Sequence, residues 1–105
     1  MTSPRVEIDL TKIRANARFL VRRLCAGGLS VTGVTKAVCG NPDIAEAMLD
    51  GGVVGLADAR IKNIARMRKA GITCPISMIR APLVDEMADV IWYCDTSYNT
   101  EMDTI

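Results

Sequence analysis

The stretch Leu29-Ser-Val-Thr-Gly-Val-Thr-Lys-Ala-Val38 decides the fold class. It is apolar or β-branched at nearly every position, which suits a strand buried on both faces inside a parallel sheet. Working outward, both flanks read as helices. On the N-terminal side Ile13, Ala17, Leu20 and Leu24 recur at helical spacing and share one face. Thr11 stands at the N-cap position of that helix, and Gly27-Gly28 closes it. Ahead of it Arg5-Val-Glu-Ile-Asp-Leu10 alternates polar and apolar residues, the pattern of a half-buried strand. On the C-terminal side Asn41-Pro42-Asp43 reads as a helix start, with asparagine as cap and proline at the first helical position. Ile44, Ala47 and Met48 form its apolar face, and Gly51-Gly52 ends it.

The same unit recurs downstream. Residues 53–57 read as a strand, 60–70 as a helix closed by Gly71, and 74–79 as a further strand. Residues 82–93 read as a helix with Val84, Met87, Ala88 and Ile91 on one face, and 95–98 as a fifth strand before another helix begins. Strands joined by helical crossovers run parallel, so the class is α/β. An open doubly wound sheet and part of a (β/α)8 barrel both fit. A complete barrel takes at least about 200 residues. The 105 residues here are therefore expected to make roughly the first half of one, with two open sheet edges.

Composition narrows the function. A net charge of +1 supplies no field toward nucleic acid, membrane or acidic substrates. One Phe, one Trp and two Tyr make no base-stacking platform. There are no histidines, which removes the commonest acid/base residue and the commonest metal ligand together. Cys25, Cys39, Cys74 and Cys94 contain no C-x-x-C pair, so zinc and redox motifs lack support and reduced thiols are expected. No secretory signal or apolar run of membrane-spanning length is visible, and a cytoplasmic protein is expected.

Lys36 is the most informative residue. It lies near the C-terminal end of the most apolar strand, and in parallel α/β folds those strand ends face the active site. Burial lowers a lysine's pKa, and the neutral amine attacks carbonyls, so a lysine there can form a Schiff base or carry a proton. On position alone the plainer reading is favoured: Lys36 lies past the strand's effective end and snorkels into solvent.

The surrounding residues reverse that order. Arg5-Val-Glu-Ile-Asp-Leu-Thr-Lys-Ile-Arg-Ala-Asn-Ala-Arg18 resembles the opening of the alanine racemase-like, pyridoxal 5'-phosphate (PLP) dependent enzymes. Val31-Thr-Gly-Val-Thr-Lys-Ala-Val-Cys-Gly40 resembles the family's second segment, whose lysine carries PLP as a Schiff base. Leu56-Ala-Asp-Ala-Arg-Ile-Lys-Asn-Ile64, Met67-Arg-Lys-Ala-Gly-Ile72 and Cys74-Pro-Ile-Ser-Met-Ile-Arg80 are similar to the third and fourth units. The likeness covers essentially residues 1–105 in order, as a partial barrel domain, and is nearest the ornithine racemase branch. It implies an amino acid racemase acting on ornithine or alanine, Lys36 as cofactor-binding and catalytic residue, and a homodimer in the full-length form. Alanine racemases proper place a tyrosine four residues after the lysine, to contact the cofactor phosphate; here that position is Gly40. The second acid/base, a tyrosine of the C-terminal domain in alanine racemases, has no counterpart in these residues. The barrel loops after strands 7–8, the usual phosphate site, have none either.

Asp58, Arg60, Arg80 and Asn99 fall at predicted C-terminal strand ends. Asp58 and Arg80 are candidate substrate or cofactor contacts, with Asp58 a partner for the distal ammonium of ornithine. The alternative is that they cap helices or form ordinary ion pairs. Asp85-Glu86 and Glu101/Asp103 do not converge as an acid/base dyad and read as solvated faces. Met67, Met78 and Met87 read as core filler. Three further readings stay open: a PLP-dependent aldolase or lyase, a PLP carrier without turnover, and a non-catalytic α/β piece assembling through its strand edges.

Overall fold

Among residues 8–80 and 82–97, the part of the chain that the computed structural model describes, four parallel strands alternate with four α-helices. In chain order these are α1 (Leu10–Cys25), β1 (Thr32–Val34), α2 (Pro42–Asp50), β2 (Gly55–Asp58), α3 (Ile61–Lys69), β3 (Ile76–Met78), α4 (Met87–Tyr93) and β4 (Thr96–Ser97). Short 3-10 turns at Lys36–Val38 and Val84–Glu86 follow β1 and precede α4. The sheet order is β1-β2-β3-β4, every pair parallel.

Register and alternation set the two faces. Gly33 pairs with Leu56 and Leu56 with Ile76, while Val34, Ala57 and Ser77 form the next row and face the other way. The first row lies under the helices. Leu56, Ile76 and Met78 pack there with Ala45 of α2, Ile64 and Met67 of α3, and Val90 of α4 in one buried cluster. Gly33 is in this row because space is short: a β-carbon there would stand 2.8 Å from Met48 Sδ. On the opposite face Val34 of β1 is 48% exposed, whereas Ala57 of β2 is buried. The expectation of a strand buried on both faces is therefore corrected to burial on one.

The ten-residue strand expected over 29–38 is also corrected. Only Thr32–Val34 pairs with β2. Thr35 leaves the extended region at φ −106°, ψ 2°, and the chain coils into the 3-10 turn. The strands expected at 53–57 and 74–79 shorten and shift to Gly55–Asp58 and Ile76–Met78.

Two helix faces turn relative to the pattern. In α1, Ile13, Ala17 and Val21 face inward, while Leu20 is 50% exposed and Leu24 lies at the surface. Backbone proximity explains the rotation. A β-carbon on Gly51 would lie 2.5 Å from Ala17 Cβ, and one on Gly52 would lie 3.1 Å from Val21 Cγ1. The paired glycines after α2 admit the small side of α1, not its leucine side. In α4 the 3-10 start shifts the phase, so Val90 is buried while Val84 and Ile91 are exposed.

The cap of α1 is Asp9, not Thr11. Its carboxylate accepts from Thr11 N at 3.0 Å and Lys12 N at 3.3 Å, adding a favourable charge at the helix N-terminus. Asn41 caps α2 as expected, accepting from Asp43 N at 2.9 Å. The strand expected over 5–10 falls mostly outside the described residues, and its last residue, Leu10, opens α1. The helix expected after 98 also lies outside them.

Candidate functional site

The C-terminal ends of β1, β2 and β3 line one edge of the sheet, and the expected site residues stand along it. Lys36 opens the 3-10 turn directly after β1. Its side chain is exposed, and among the described residues its amino group makes no salt bridge. The turn beneath it is tightly closed. Thr35 O accepts from Val38 N and Gly40 N, both at 3.1 Å. Cys39 and Gly40 then adopt left-handed conformations at φ 56° and 64°. A non-glycine residue such as Cys39 is uncommon in that region.

Asp58, the last residue of β2, turns toward the helix-covered face and is fully buried. Oδ2 accepts from Thr35 Oγ1 at 2.7 Å. Oδ1 accepts from Arg60 N at 2.9 Å and Asn63 Nδ2 at 3.1 Å. A buried carboxylate is tolerable only with such partners, and all three donors come from this chain. Asn63 in turn lies against Gly40, where an added β-carbon would stand 2.7 Å from both Asn63 Cβ and Asn63 O. Gly40 thus has no room for a side chain.

Arg80 follows β3. Its Nε donates to Ala59 O at 2.8 Å, and its Nη2 contacts Glu86 at 3.2 Å. Glu86 also accepts from Leu83 N at 2.8 Å, closing the turn before α4. That backbone N–H first, and the Arg80 guanidinium next, hold the Glu86 carboxyl below its ordinary range against the opposing effect of burial. Arg60, Lys62 and Arg80 line one shallow groove with Glu86, which gives this edge cationic character suited to an anionic group. Asn99 lies outside the described residues. Among those residues no cluster of three metal-ligating side chains occurs, and no helix is long and apolar enough to cross a membrane.

Sequence reading did not single out Thr35 or Asn63. The spacing Asp58-x-Arg60-x-x-Asn63 carried the available signal, since an aspartate just ahead of a helix accepts from backbone N–H groups two residues on. Thr35 had none: a threonine in a β-branched run looks like any strand residue.

The alanine racemase, N-terminal domain model matches residues 8–99. The chain belongs to this family. Similar curated proteins include lysine racemase of Thermotoga maritima, 37% identical over 90% of the chain and 27% of that protein. Ornithine racemase of Acetoanaerobium sticklandii is 35% identical over 97% of the chain and 28% of its own length. The chain thus spans about a quarter of these alanine racemase-family relatives. Among solved structures, alanine racemase from E. faecalis superposes with a TM-score of 0.72 at 27% identity, covering 85% of the chain and 24% of that structure. Alanine racemase from Bacillus anthracis shares the fold, with a TM-score of 0.78 at 19% identity, covering 97% of the chain and 28% of that structure. The parallel strands and helices described above are the N-terminal part of the TIM-barrel-like alanine racemase domain.

Proposed function

We propose that this chain contributes the cofactor-bearing edge of a PLP-dependent amino acid racemase, with Lys36 as the covalent attachment point. One observation carries the reading: in a chain matched to the family over 8–99, the single lysine of the β1 segment is exposed at the C-terminal sheet edge. The residues present fit the cofactor in that respect. Lys36 supplies an accessible amino group on a closed turn at the C-terminal end of β1. When bound, PLP acts as an electron sink that acidifies the α-carbon of an amino acid. Lys36 Nζ would hold the cofactor and would take or return a proton on its own side of the substrate.

The substrate is read as a small basic amino acid, ornithine or lysine. Two relatives bearing those names align over 90% or more of the chain, against 70% for alanine racemase 1 of Clostridium acetobutylicum. Gly40 departs from the tyrosine of alanine racemases, which speaks against alanine as the substrate. The whole protein is read as a cytoplasmic homodimer that uses neither nucleic acid nor membrane. Asp58 is reassigned from the distal ammonium to the interior, because its oxygens are engaged by Thr35, Arg60 and Asn63.

The test is borohydride reduction of the PLP-treated full chain, peptide mapping, and racemisation of ornithine, lysine and alanine by the whole protein. The label should fall on Lys36, and Lys36→Arg should abolish both label and turnover. Labelling spread evenly over Lys12, Lys36, Lys62 and Lys69 would overturn the assignment.

A further inference from the structure

We propose that Asp58 is the positioning residue of Lys36, holding the turn that carries the lysine at both of its ends, through Thr35 and through Asn63. The proposal rests on the reading of Lys36 given above.

The geometry is that of a brace. Thr35 and Asp58 are 23 residues apart in sequence, yet their side chains meet at 2.7 Å in a site where both are fully buried. Thr35 is also the hub of the turn. Its N–H donates to Ala57 O at 2.9 Å, and its carbonyl takes both Val38 N and Gly40 N. The backbone that presents Lys36 therefore follows wherever Thr35 is held. At the far end Gly40 rests on Asn63, whose amide donates to the other oxygen of the same carboxylate. One side chain thus braces where the turn begins and the surface on which it ends, beside Arg66 Nη1, which donates to Cys39 O at 3.2 Å.

A lysine has four side-chain torsions, so the protein's leverage over an exposed Nζ is largely through the backbone that carries it. Reacting groups must be held to within about 0.5 Å, and a lysine on a fraying turn would not be. A well-packed apolar residue would fill the position of Asp58 without the desolvation penalty of a carboxylate. It would not grip Thr35 and Asn63 at once.

Asp58 also accepts from the N–H of Arg60, the residue that leads into α3, so replacing it perturbs the start of that helix as well. Thr35 separates the two roles, because it binds the carboxylate while its hydroxyl has no hydrogen bond to the start of α3. The experiment compares the full chain with Thr35→Val, Thr35→Ser and Asp58→Asn by native-state hydrogen exchange and by borohydride-trapped PLP. Val38 and Gly40 amides report the turn, Leu56 the sheet and Ile64 the start of α3. Thr35→Val should accelerate Val38 and Gly40 roughly tenfold relative to Leu56 and Ile64, the scale of one lost buried hydrogen bond. It should also spread the PLP label from Lys36 to the other lysines, whereas Thr35→Ser keeps both behaviours. Asp58→Asn should accelerate the turn and Ile64 together. The inference is overturned if Thr35→Val leaves the turn amides slow, speeds all four amides in step, or leaves the label confined to Lys36. A parent chain that does not label at Lys36 sinks the cofactor reading instead, and the exchange ratio alone then decides the brace.

Discussion

Replacing Gly40 by alanine tests the closest contact at the candidate site. Two terms act on this substitution. Gly40 sits at φ 64°, and a left-handed conformation costs a residue with a β-carbon about 1 kcal/mol or somewhat more. The new carbon would also stand 2.7 Å from Asn63 Cβ and Asn63 O, and part of that obstruction is backbone, which does not swing aside. Overpacking of this kind costs about 1–3 kcal/mol. Together the terms predict a loss of about 2–4 kcal/mol, or on the order of 10–20 °C in Tm for a chain of this size. Gly28 provides the control. It has φ 81° and nothing within 4 Å of an added β-carbon, so Gly28→Ala carries the conformational term alone. Urea unfolding followed by circular dichroism reads both variants; Trp92, 81% exposed, would be a poor fluorescent reporter. If Gly40→Ala is no less stable than Gly28→Ala to within about 0.5 kcal/mol, a typical surface-substitution effect, the seating of Gly40 on Asn63 is wrong.

Three other outcomes follow from the geometry. Arg68, whose side chain is 18% exposed, donates to the carbonyls of Ile72, Cys74 and Tyr93 and pairs with Asp95 at 2.9 Å. Arg68→Ala should therefore cost at least about 3 kcal/mol in urea unfolding, and Arg68→Lys should recover only a minor part because an ammonium cannot reproduce the fork. The Glu86 carboxyl lies below its ordinary value of 4.5 in the folded chain, so its stabilising contribution is complete above that pH and is lost as pH falls through the lowered value. The Tm difference between the parent and Glu86→Gln should shrink on acidification below pH 4.5, and a difference independent of pH would contradict the Leu83 and Arg80 contacts. Burial chiefly pushes the Cys74 and Cys94 thiols up, with Asp95 adding to it and Arg68 opposing. Iodoacetamide at neutral pH should reach the exposed Cys25 and Cys39 first, as peptide mass analysis would show; the reverse order would refute this burial.

The repeat of strand and helix was legible because hydrophobic period and glycine stops mark it without reference to neighbours. Asn41-Pro42 and Gly71 punctuate the chain as their local chemistry requires. Strand lengths and helix rotations were not legible, because partners set them. Val31 and Thr35 belong to the same β-branched run as Val34, yet pairing ends where Asp58 takes the Thr35 hydroxyl. Likewise α1 presents Val21 instead of Leu20 because Gly51 and Gly52 lie opposite, and no pattern within α1 encodes that. Lys36 stood out because a lone cation in an apolar run is visible in one dimension. Its brace was not, since Thr35, Asp58 and Asn63 become neighbours only after two units have packed.

That delay has a consequence for how the chain acquires its form during synthesis. Because the sheet order follows the chain, each strand's partner edge belongs to the strand synthesised just before it, N-terminal part first. The Lys36 turn, however, is closed by residues of the next unit. A ribosome-bound chain with residue 50 just exposed would hold Lys36 without its brace, and one with residue 63 exposed could complete it. The side chains that brace the turn thus emerge one unit after the lysine itself, and until then only the turn's own backbone hydrogen bonds are available to it.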